Sequence, residues 1–469
     1  MSLPGRTKKQ RGLALLVVVI ALVLVALAWI ANGLANRKSG AEEKATSIAL
    51  AKAKEALIAY AVRYSETHPD NVPGYLPCPD AGAVEGTSPT VNCGNQNVSS
   101  LRKLPWKTLG IEPLRDSSGE CLWYAVSGTY KNAPKTALMN WDNNGLIEIV
   151  TEDGTTLLAG SKSENRAAAV VIAPGPAIGA QSHTKVANAP ECGGNYVASN
   201  YLDSRAGVNN AVVSTVANAL SRFVAGSKSP DFNDTIIYIT PEEIFEQIQK
   251  RIDFKTRIES LTKSIAECVG KYGQSNGAPI VRADNRLPWP AFVNLTSFIS
   301  DTSYNDNAAG SLKSGRLPFV VDTSKIATTN QMSGTHLLSN GNFLCPLWST
   351  DDDAWYTNWK DHFFYVLAGS FAPTAPHPTV FPCPTCITVN GVGSYAAVVV
   401  FANQKTAGQS RNTIVEKRLI SNYLEGRNSS TYPNTAGNAN LEKSASVNDM
   451  LYCVTFDPVT HVSTVASCP

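Results

Sequence analysis

The chain has 469 residues, which is enough for two or three domains with sizeable cores. Its 40 basic and 38 acidic side chains leave a net charge of +2, so electrostatics gives no reason to expect nucleic acid as a partner. Charged residues make up only 17% of the chain, and we expect a fold rich in strands and loops rather than in long helices.

The first part of the chain changes abruptly in character. Four basic residues lie within the first eleven positions, and residues 13–31 then contain no charged side chain. A helix of this length spans about 28 Å, close to the thickness of a bilayer's hydrocarbon core. The pattern therefore predicts a transmembrane helix over 13–31. The basic N-terminus predicts a cytoplasmic start, with the rest of the chain outside.

Gly12 lies at the junction of these two segments, where three interpretations are open. A secretory signal peptide has a shorter apolar region than this one. A plain signal anchor accounts for the apolar length but gives Gly12 no role. A short basic leader that a peptidase removes between Gly12 and Leu13, with the helix retained, accounts for both features.

Residues 41–66 have a helical pattern of their own. Apolar side chains recur at spacings of three and four, which predicts an amphipathic helix that ends at His68–Pro69. Its apolar stripe consists of Leu50, Ala53, Leu57, Tyr60 and Tyr64.

The stretch KKQRGLALLVV, followed by an apolar and then an amphipathic helix, resembles the N-terminus of type IV pilins and type II secretion pseudopilins. The resemblance implies a leader over 1–12, cleavage after Gly12 by a prepilin peptidase, methylation of Leu13, and assembly with other pilin or pseudopilin subunits through the helix. Most members of the family have a glutamate at the fifth mature position, where this chain has Val17. A carboxylate without a partner is costly in hydrocarbon. A subunit that lacks it resembles the minor subunits at filament tips.

The main organisational feature of the chain is an internal repeat. Six blocks between about residues 41 and 239 recur in the same order from about residue 240 to the end. Most of them have strand patterns bounded by turn residues. The matched blocks are YLPCPD (75–80) with RLPWPAF (286–292), LPWKTLG (104–110) with RLPFVVD (316–322), CLWYAVSGTY (121–130) with HFFYVLAGSF (362–371), AAAVVIAPG (167–175) with YAAVVVFAN (395–403), SNYLDSRAG (199–207) with SNYLEGRNS (421–429), and FNDTIIYIT (232–240) with VNDMLYCVT (447–455).

These observations predict an α+β fold. We expect a transmembrane helix that continues into an amphipathic helix, followed by two tandem pilin-like heads over 32–239 and 240–469. Each head is expected to be a helix packed on an antiparallel sheet. The blocks of the first half also resemble motifs of large prepilin-like proteins, which implies a component of an envelope filament.

The second head has a clear helix start. Thr240 is a good N-cap, Pro241 fits the first helical position, and Glu243 completes a capping box. Charged residues interrupt this helix throughout, so it cannot span a membrane. Its predicted apolar face consists of Ile244, Ile248, Ile252, Ile258, Leu261 and Ile265.

All ten cysteines follow the apolar segment, which suits an exported protein with disulfides whose pairing the sequence leaves open. The C-x-x-C at 383–386 is also compatible with redox chemistry or zinc. No helix is predicted at this motif, which disfavours the redox use, and no second ligand pair favours zinc. The disulfide candidates are Cys78, Cys93, Cys121, Cys192, Cys268, Cys345, Cys383, Cys386, Cys453 and Cys468.

Two oxygen-rich segments are candidates for calcium, which prefers six to eight oxygen ligands. The better one is a loop expected at Asp351, Asp352 and Asp353, and the other is DTSYNDN (301–307). Neither has the twelve-residue spacing of a calcium-binding loop, and we expect no other metal or cofactor. The stretch WDNNGLIEI (141–149) predicts a β-hairpin with an Asn-Gly turn.

No group of serine, histidine, cysteine or acidic residues has catalytic spacing, so we expect no enzymatic activity. We expect a minor pilin or pseudopilin-like subunit of a type IV pilus or type II secretion-type filament, at its tip or in the initiation of its assembly. Such a subunit would be held in the bacterial inner membrane, with its heads in the periplasm or, within a filament, at the cell surface. The alternative is a membrane-anchored tandem binding protein or adhesin that does not enter a filament.

Overall fold

The computed structural model describes residues 40–184, 191–192, 194–273, 285–306, 312–319, 349–373, 383 and 385–469. The predicted leader and transmembrane segment, residues 1–31, lie outside these ranges. None of the helices within them is long and apolar enough to cross a membrane. The fold prediction is corrected accordingly, because the described chain is α+β without a membrane-spanning helix.

The first half of the chain consists of a long helix followed by short strands. Helix α1 occupies residues 40–62, and α2 is Tyr64–Thr67. The strands are β1 (Ser100–Lys103), β2 (Trp123–Val126), β3 (Ile147–Val150), β4 (Leu157–Ala159), β5 (Ala169–Ala173), β6 (Ser204–Arg205), β7 (Val208–Asn209), β8 (Ser221–Val224) and β9 (Thr235–Ile239).

The second half contains the remaining helices and strands. Its helices are α3 (Pro241–Lys250), α4 (Ile252–Gly273), α5 (Thr350–Trp359), α6 (Ile414–Lys417) and α7 (Gly426–Ser430). Its strands are β10 (Ser314–Arg316), β11 (Phe363–Leu367), β12 (Ile387–Val389), β13 (Val392–Tyr395), β14 (Ala397–Phe401), β15 (Asn440–Leu441), β16 (Met450–Phe456) and β17 (Ser463–Ser467). Short 3-10 turns occur in both halves at Ser163–Asn165, Ala198–Asn200, Asp301–Tyr304, Lys360–His362, Gly369–Phe371 and Ile420–Asn422.

The main sheets of the two halves have the same strand order. The first is antiparallel in the order β1-β2-β5-β9, and the second is antiparallel in the order β10-β11-β14-β16-β17. Equivalent residues also have equivalent partners, since Trp123 lies opposite Ile172 and Phe364 lies opposite Val400. The two sheets are therefore copies of one arrangement, and β17 extends the second.

Each half also has a three-stranded sheet that the sequence did not reveal. Strand β3 pairs antiparallel with β4 and parallel with β8, and β12 pairs in the same way with β13 and β15. The prediction of one helix on one antiparallel sheet per half is therefore wrong. A parallel pair joins strands that are distant in sequence, so no local turn pattern predicts it.

The predicted stripe of α1 is confirmed. Leu50, Ala53, Leu57 and Tyr64 are at most 3% exposed, whereas Tyr60 is half-buried. Their burial against the main sheet of the first half leaves the opposite face of the helix towards solvent.

The start of the second helix is also confirmed. The Thr240 hydroxyl accepts a hydrogen bond from the Glu243 N–H, and the Glu243 carboxylate accepts one from the Thr240 N–H. This reciprocal capping box satisfies two N–H groups at the helix end that otherwise lack partners.

The second helix is interrupted at Arg251, which has extended backbone angles between α3 and α4. Its guanidinium binds the carboxylates of Asp253 and Glu66. The break turns Ile252 outward, where it is 77% exposed, so its predicted place on the apolar face is wrong. The other predicted members of that face are buried at 2% exposure or less.

A continuous core joins the two halves. Side chains from α1, α4 and both main sheets form one buried cluster that extends from Ala49 to Cys468. In β2, Tyr124 faces this cluster, while its neighbour Trp123 faces a second cluster against the three-stranded sheet. The second half therefore packs directly against the first.

Candidate functional site

Charged side chains meet in the interior where the two halves contact each other. We call this region the seam. Among its members, the side chains of Asp142, Asp361, His362 and Arg411 are at most 2% exposed. Charged groups are rarely buried so completely unless they are paired, which makes the seam the candidate functional site. The seam consists of Trp141 and Asp142 from the first half and Asp361, His362, Arg411 and Lys417 from the second.

Asp142 belongs to the first half, and its carboxylate contacts side chains of the second half. A tight turn precedes it, in which the Asp142 N–H donates to Asn140 Oδ1 at 2.9 Å. Its Oδ2 atom lies 3.0 Å from His362 Nε2 and 3.4 Å from Arg411 Nη1. One carboxylate oxygen therefore contacts two groups of the other half.

His362 is held by the sheet of the second half. It immediately precedes β11, and its Nδ1 atom lies 2.9 Å from the carbonyl oxygen of Ala402. The Ala402 N–H donates to the His362 carbonyl at 2.8 Å. Within the part of the chain that the structure describes, the Nε2 atom has no well-aligned hydrogen-bond acceptor, so its 3.0 Å approach to Asp142 is a close contact rather than a directed hydrogen bond.

Arg411 is fixed within the second half by its own contacts. Its Nε donates to the Asn422 carbonyl at 2.6 Å, and both terminal nitrogens donate to the Asn403 carbonyl at 3.1 Å. The guanidinium lies 4.4 Å from the centre of the Tyr423 ring. Asp142 therefore meets a cation that is already oriented.

A second ion pair lies beside the first. Asp361 Oδ2 is 3.2 Å from Lys417 Nζ, and Asp361 Oδ1 accepts a hydrogen bond from Asn140 of the first half at 3.2 Å. Arg316 donates to the backbone carbonyls of both Asp361 and Lys417. The second carboxylate is thus also bonded across the seam.

Aromatic rings enclose these charges. The Trp141 ring lies edge-on to Trp359 at 4.4 Å and to His362 at 5.2 Å between centroids. Exclusion of water by such rings strengthens electrostatic contacts and also raises the cost of leaving a charge unpaired.

The surrounding charges decide which groups are ionised. Burial by itself would raise the pKa of Asp142, but Arg411 and His362 outweigh it and hold that pKa well below its usual value. Burial also opposes ionisation of Asp361, whose pKa is nevertheless lowered by Lys417 and His362. For Lys417, burial would lower the pKa, and the Asp361 carboxylate raises it instead. Both carboxylates and the lysine are therefore charged at neutral pH.

Asp142, Asp361 and His362 each offer one metal-ligand atom, and the three atoms lie within 4.8 Å of one another. The two carboxylates are already balanced by Arg411 and Lys417. A divalent ion would add two positive charges to a buried cluster in which the described residues supply no further anion. These residues therefore do not fit a metal centre.

A polar cavity of about 390 Å³ adjoins the seam. Glu164 of the first half and Lys405 of the second form an ion pair at its wall, 3.0 Å apart. Asn412 donates a hydrogen bond to the same Glu164 carboxylate. The cavity is lined by Trp141, Asp142, Asn143, Asn144, Glu164, Asn165, Pro241, Glu242, Phe245, Gln404, Lys405 and Asn412.

The predicted cysteines are paired in the structure. All nine that lie in the described residues are disulfide-bonded, including Cys268. Cys345 lies outside those residues. The pairs with both members described are Cys78–Cys93, Cys121–Cys192, Cys383–Cys386 and Cys453–Cys468.

The aspartates proposed for calcium are not in a loop. Asp351, Asp352 and Asp353 lie in the first turn of α5, where Asp352 forms a capping box with Ser349. The Arg257 guanidinium lies 2.9 Å from Asp351 and 2.7 Å from Asp352. The loop prediction is wrong, and calcium binding remains a prediction that this guanidinium disfavours. In the other segment, Asp301 pairs with Lys360.

Sequence analysis missed the seam, because Asp142 and Arg411 are 269 positions apart. The hairpin predicted at 141–149 is wrong, since contacts with the second half draw Trp141 and Asp142 inward and only β3 follows. One sequence feature does indicate His362, which opens an otherwise apolar block at the position of Cys121 in the first half.

The predicted processing site and the missing filament glutamate concern Gly12, Leu13 and Val17, which all lie outside the described residues. Comparison of the chain with protein-family profiles, curated proteins and solved structures returns no match. The functional conclusion therefore rests on the residues themselves and on their geometry.

Proposed function

We propose that this chain is a minor pilin- or pseudopilin-like structural subunit of an envelope filament, with both halves outside the cytoplasm. The observation that supports this most is α1, which packs one stripe on an antiparallel sheet whose strand order the second half repeats. Its outward face, with Lys52, Glu55 and Ala59 exposed, is free to contact a neighbouring subunit. Disulfides are typical of proteins in that location.

The seam suits a structural role. Its His362 and Asp142 side chains are at most 2% exposed, and it joins the halves through charges that are costly to separate. A subunit built in this way holds its two halves in a fixed orientation when other subunits contact one of them. The partners in this proposal are other pilin or pseudopilin subunits and a prepilin peptidase.

N-terminal sequencing after co-expression with a prepilin peptidase tests the proposal. We expect the recovered chain to begin at Leu13. Gly12→Ala should block processing, whereas the matched control Gly5→Ala, within the same leader, should leave it intact. A wild-type chain that retains residues 1–12 under these conditions would contradict the filament role.

The polar cavity beside the seam favours a second candidate function, that of a tandem extracytoplasmic binding protein that does not enter a filament. Cavities between structural units are common ligand sites. Replacing Asn165 and Gln404 together by alanine changes the cavity wall without touching the charge cluster. Loss of cell adhesion in that variant, combined with an unprocessed N-terminus, would favour this candidate.

A further inference from the structure

Each half buries an aspartate just before the last strand that the two main sheets share. Asp234 precedes β9 and is 1% exposed, and Asp449 precedes β16 and is 6% exposed. Each faces an acidic residue from the SNYL block, Asp203 in the first half and Glu425 in the second. We call Asp203 with Asp234, and Glu425 with Asp449, the two carboxyl pairs.

In the first carboxyl pair, the two side chains bind each other's backbone. Asp234 Oδ2 accepts hydrogen bonds from the Asp203 N–H and from Asn210 Nδ2, both at 2.9 Å. Asp203 Oδ2 accepts from the Asn233 N–H at 2.7 Å, and its Oδ1 accepts from Gln181 Nε2 at 2.8 Å. Both oxygens of Asp203 therefore have donors, which suits an ionised carboxylate.

The second carboxyl pair has the same plan. Asp449 Oδ2 accepts from Asn428 Nδ2 at 2.9 Å and from the Glu425 N–H at 3.3 Å. Glu425 Oε2 accepts from the Asn448 N–H at 3.1 Å. In both halves, reciprocal hydrogen bonds therefore join the loop after SNYL to the start of a strand.

The buried aspartate of each pair has an oxygen that lacks a donor. Asp234 Oδ1 and Asp449 Oδ1 are both inaccessible to solvent, and neither has a hydrogen-bond partner among the described residues. An ionised carboxylate in this state holds an incompletely solvated charge, whereas a neutral acid holds none and is the less costly form, although its O–H also lacks a partner there. The same unpaired carboxyl oxygen at the equivalent position of both halves favours the neutral form.

Burial and a neighbouring carboxylate both raise the pKa of the buried aspartate in each pair. Burial, followed by the Asp203 carboxylate, raises the pKa of Asp234 to about 8. Burial, followed by the Glu425 carboxylate, raises the pKa of Asp449 to about 7, although the hydrogen bond from Asn428 and the Arg411 charge oppose the rise. Tyr432, whose pKa is raised by burial and by the Asp449 charge, is a further titratable neighbour of the second pair.

We propose that Asp234 and Asp449 are proton-binding sites, each a neutral carboxylic acid at the pH of an extracytoplasmic space, and that losing either proton releases the loop of its half from the adjacent strand. The proposal does not depend on filament assembly. It gives both halves the same loss of stability as the pH rises above about 4.

The direction of the pH effect on stability follows from the pKa of each aspartate in the unfolded and in the folded chain. In the unfolded chain an aspartate ionises near pH 3.9, and in the folded chain these two ionise at higher pH. Their contribution is therefore complete below about pH 4 and is lost as the pH rises towards the folded-state values. Over that window, each site makes the unfolding equilibrium constant rise by up to about tenfold per pH unit.

The test is urea unfolding of the full chain between pH 5 and 9, with Asp234→Asn, Asp449→Asn and the double variant. Asparagine mimics the neutral acid, so each substitution should remove one site's share of the pH slope. The matched controls Asp231→Asn and Asp457→Asn change an exposed aspartate in each half and should leave the slope unchanged. Equal slopes in the wild type and the double variant would overturn the proposal.

Infrared spectroscopy provides a second readout that needs only the wild-type protein. A protonated carboxylic acid has its own carbonyl stretching band, which we expect at pH 6 and not at pH 9. If the asparagine variants fail to fold, this band decides the matter, since its absence from the folded wild type at pH 6 would also overturn the proposal.

Discussion

The main sheets of the two halves have the same strand order, but the start of the second strand is held differently in each half. In the first half, Cys121 lies two residues before β2 and is bonded to Cys192. In the second half, the equivalent position before β11 is His362, which contacts Asp142 across the seam. The repeat thus preserves strand order through apolar residues, while the contact between the halves is built at positions where they have diverged.

A smaller difference has a large structural consequence. Lys103 in β1 lies 5.2 Å from the Tyr201 ring, and its equivalent in β10, Arg316, lies 4.8 Å from the equivalent ring of Tyr423. The arginine has additional donors, which reach the backbone of two seam residues. An arginine spreads its donors over three nitrogens, whereas all the donors of a lysine lie on one nitrogen. Arg316 therefore donates from separate nitrogens to Asp361 and Lys417.

The largest effect is expected from Asp142→Ala. It leaves Arg411 and His362 buried without their anion, which should cost about 3–5 kcal/mol of unfolding free energy. Chemical denaturation of the full chain measures it. The matched control is Glu246→Ala, which removes an exposed pair with Lys250 and should cost less than about 1 kcal/mol. Equal small losses in both variants would mean that the seam does not join the halves.

A somewhat smaller effect is expected from Arg316→Lys. Arg316 donates from two separate nitrogens to backbone carbonyls of the seam, and an ammonium, whose donors share one nitrogen, should lose at least one of these bonds at a cost of about 1–3 kcal/mol. Arg222→Lys is the control, because that arginine is half-exposed and binds Glu148 alone among the acidic side chains of the described residues. If both substitutions shift the denaturation midpoint equally, the special role of Arg316 is refuted.

The smallest effect expected is the acid sensitivity of the seam. Asp142 and Asp361 have lowered pKa values, so their contribution is present above the unfolded value of about 3.9 and is lost as the pH falls below it. Each adds up to about 1.4 kcal/mol per pH unit. Asp142→Asn should reduce this slope below pH 4 without altering the opposite slope of the carboxyl pairs. An unchanged acid slope would contradict the ion-pair assignment.

Local patterns predicted local structure well. The period of α1 identified its buried stripe, and the Thr240–Glu243 spacing identified a helix start that the structure contains. The same reasoning failed at Arg251, whose guanidinium is held by Glu66 from far away in the chain, and at Asp352, which caps a helix instead of lying in a loop.

The seam could not be predicted, for a physical reason. Its members come from separate turns and loops that have no common period, and only packing of the two halves brings them together. Asp142 lies in a stretch whose Asn-Gly pair predicts a hairpin. The ring contacts of the half-buried Trp141 and the pairing of Asp142 with Arg411 outweigh this preference.

Hydrogen exchange of β5 and β14, followed by mass spectrometry, tests most directly whether the seam makes the two halves one cooperative unit. The account predicts that the slowest amides of both strands exchange with the same opening free energy in the wild type, and that Asp142→Ala separates the two values. Different opening free energies in the wild type, with a gap that Asp142→Ala leaves unchanged, would contradict it.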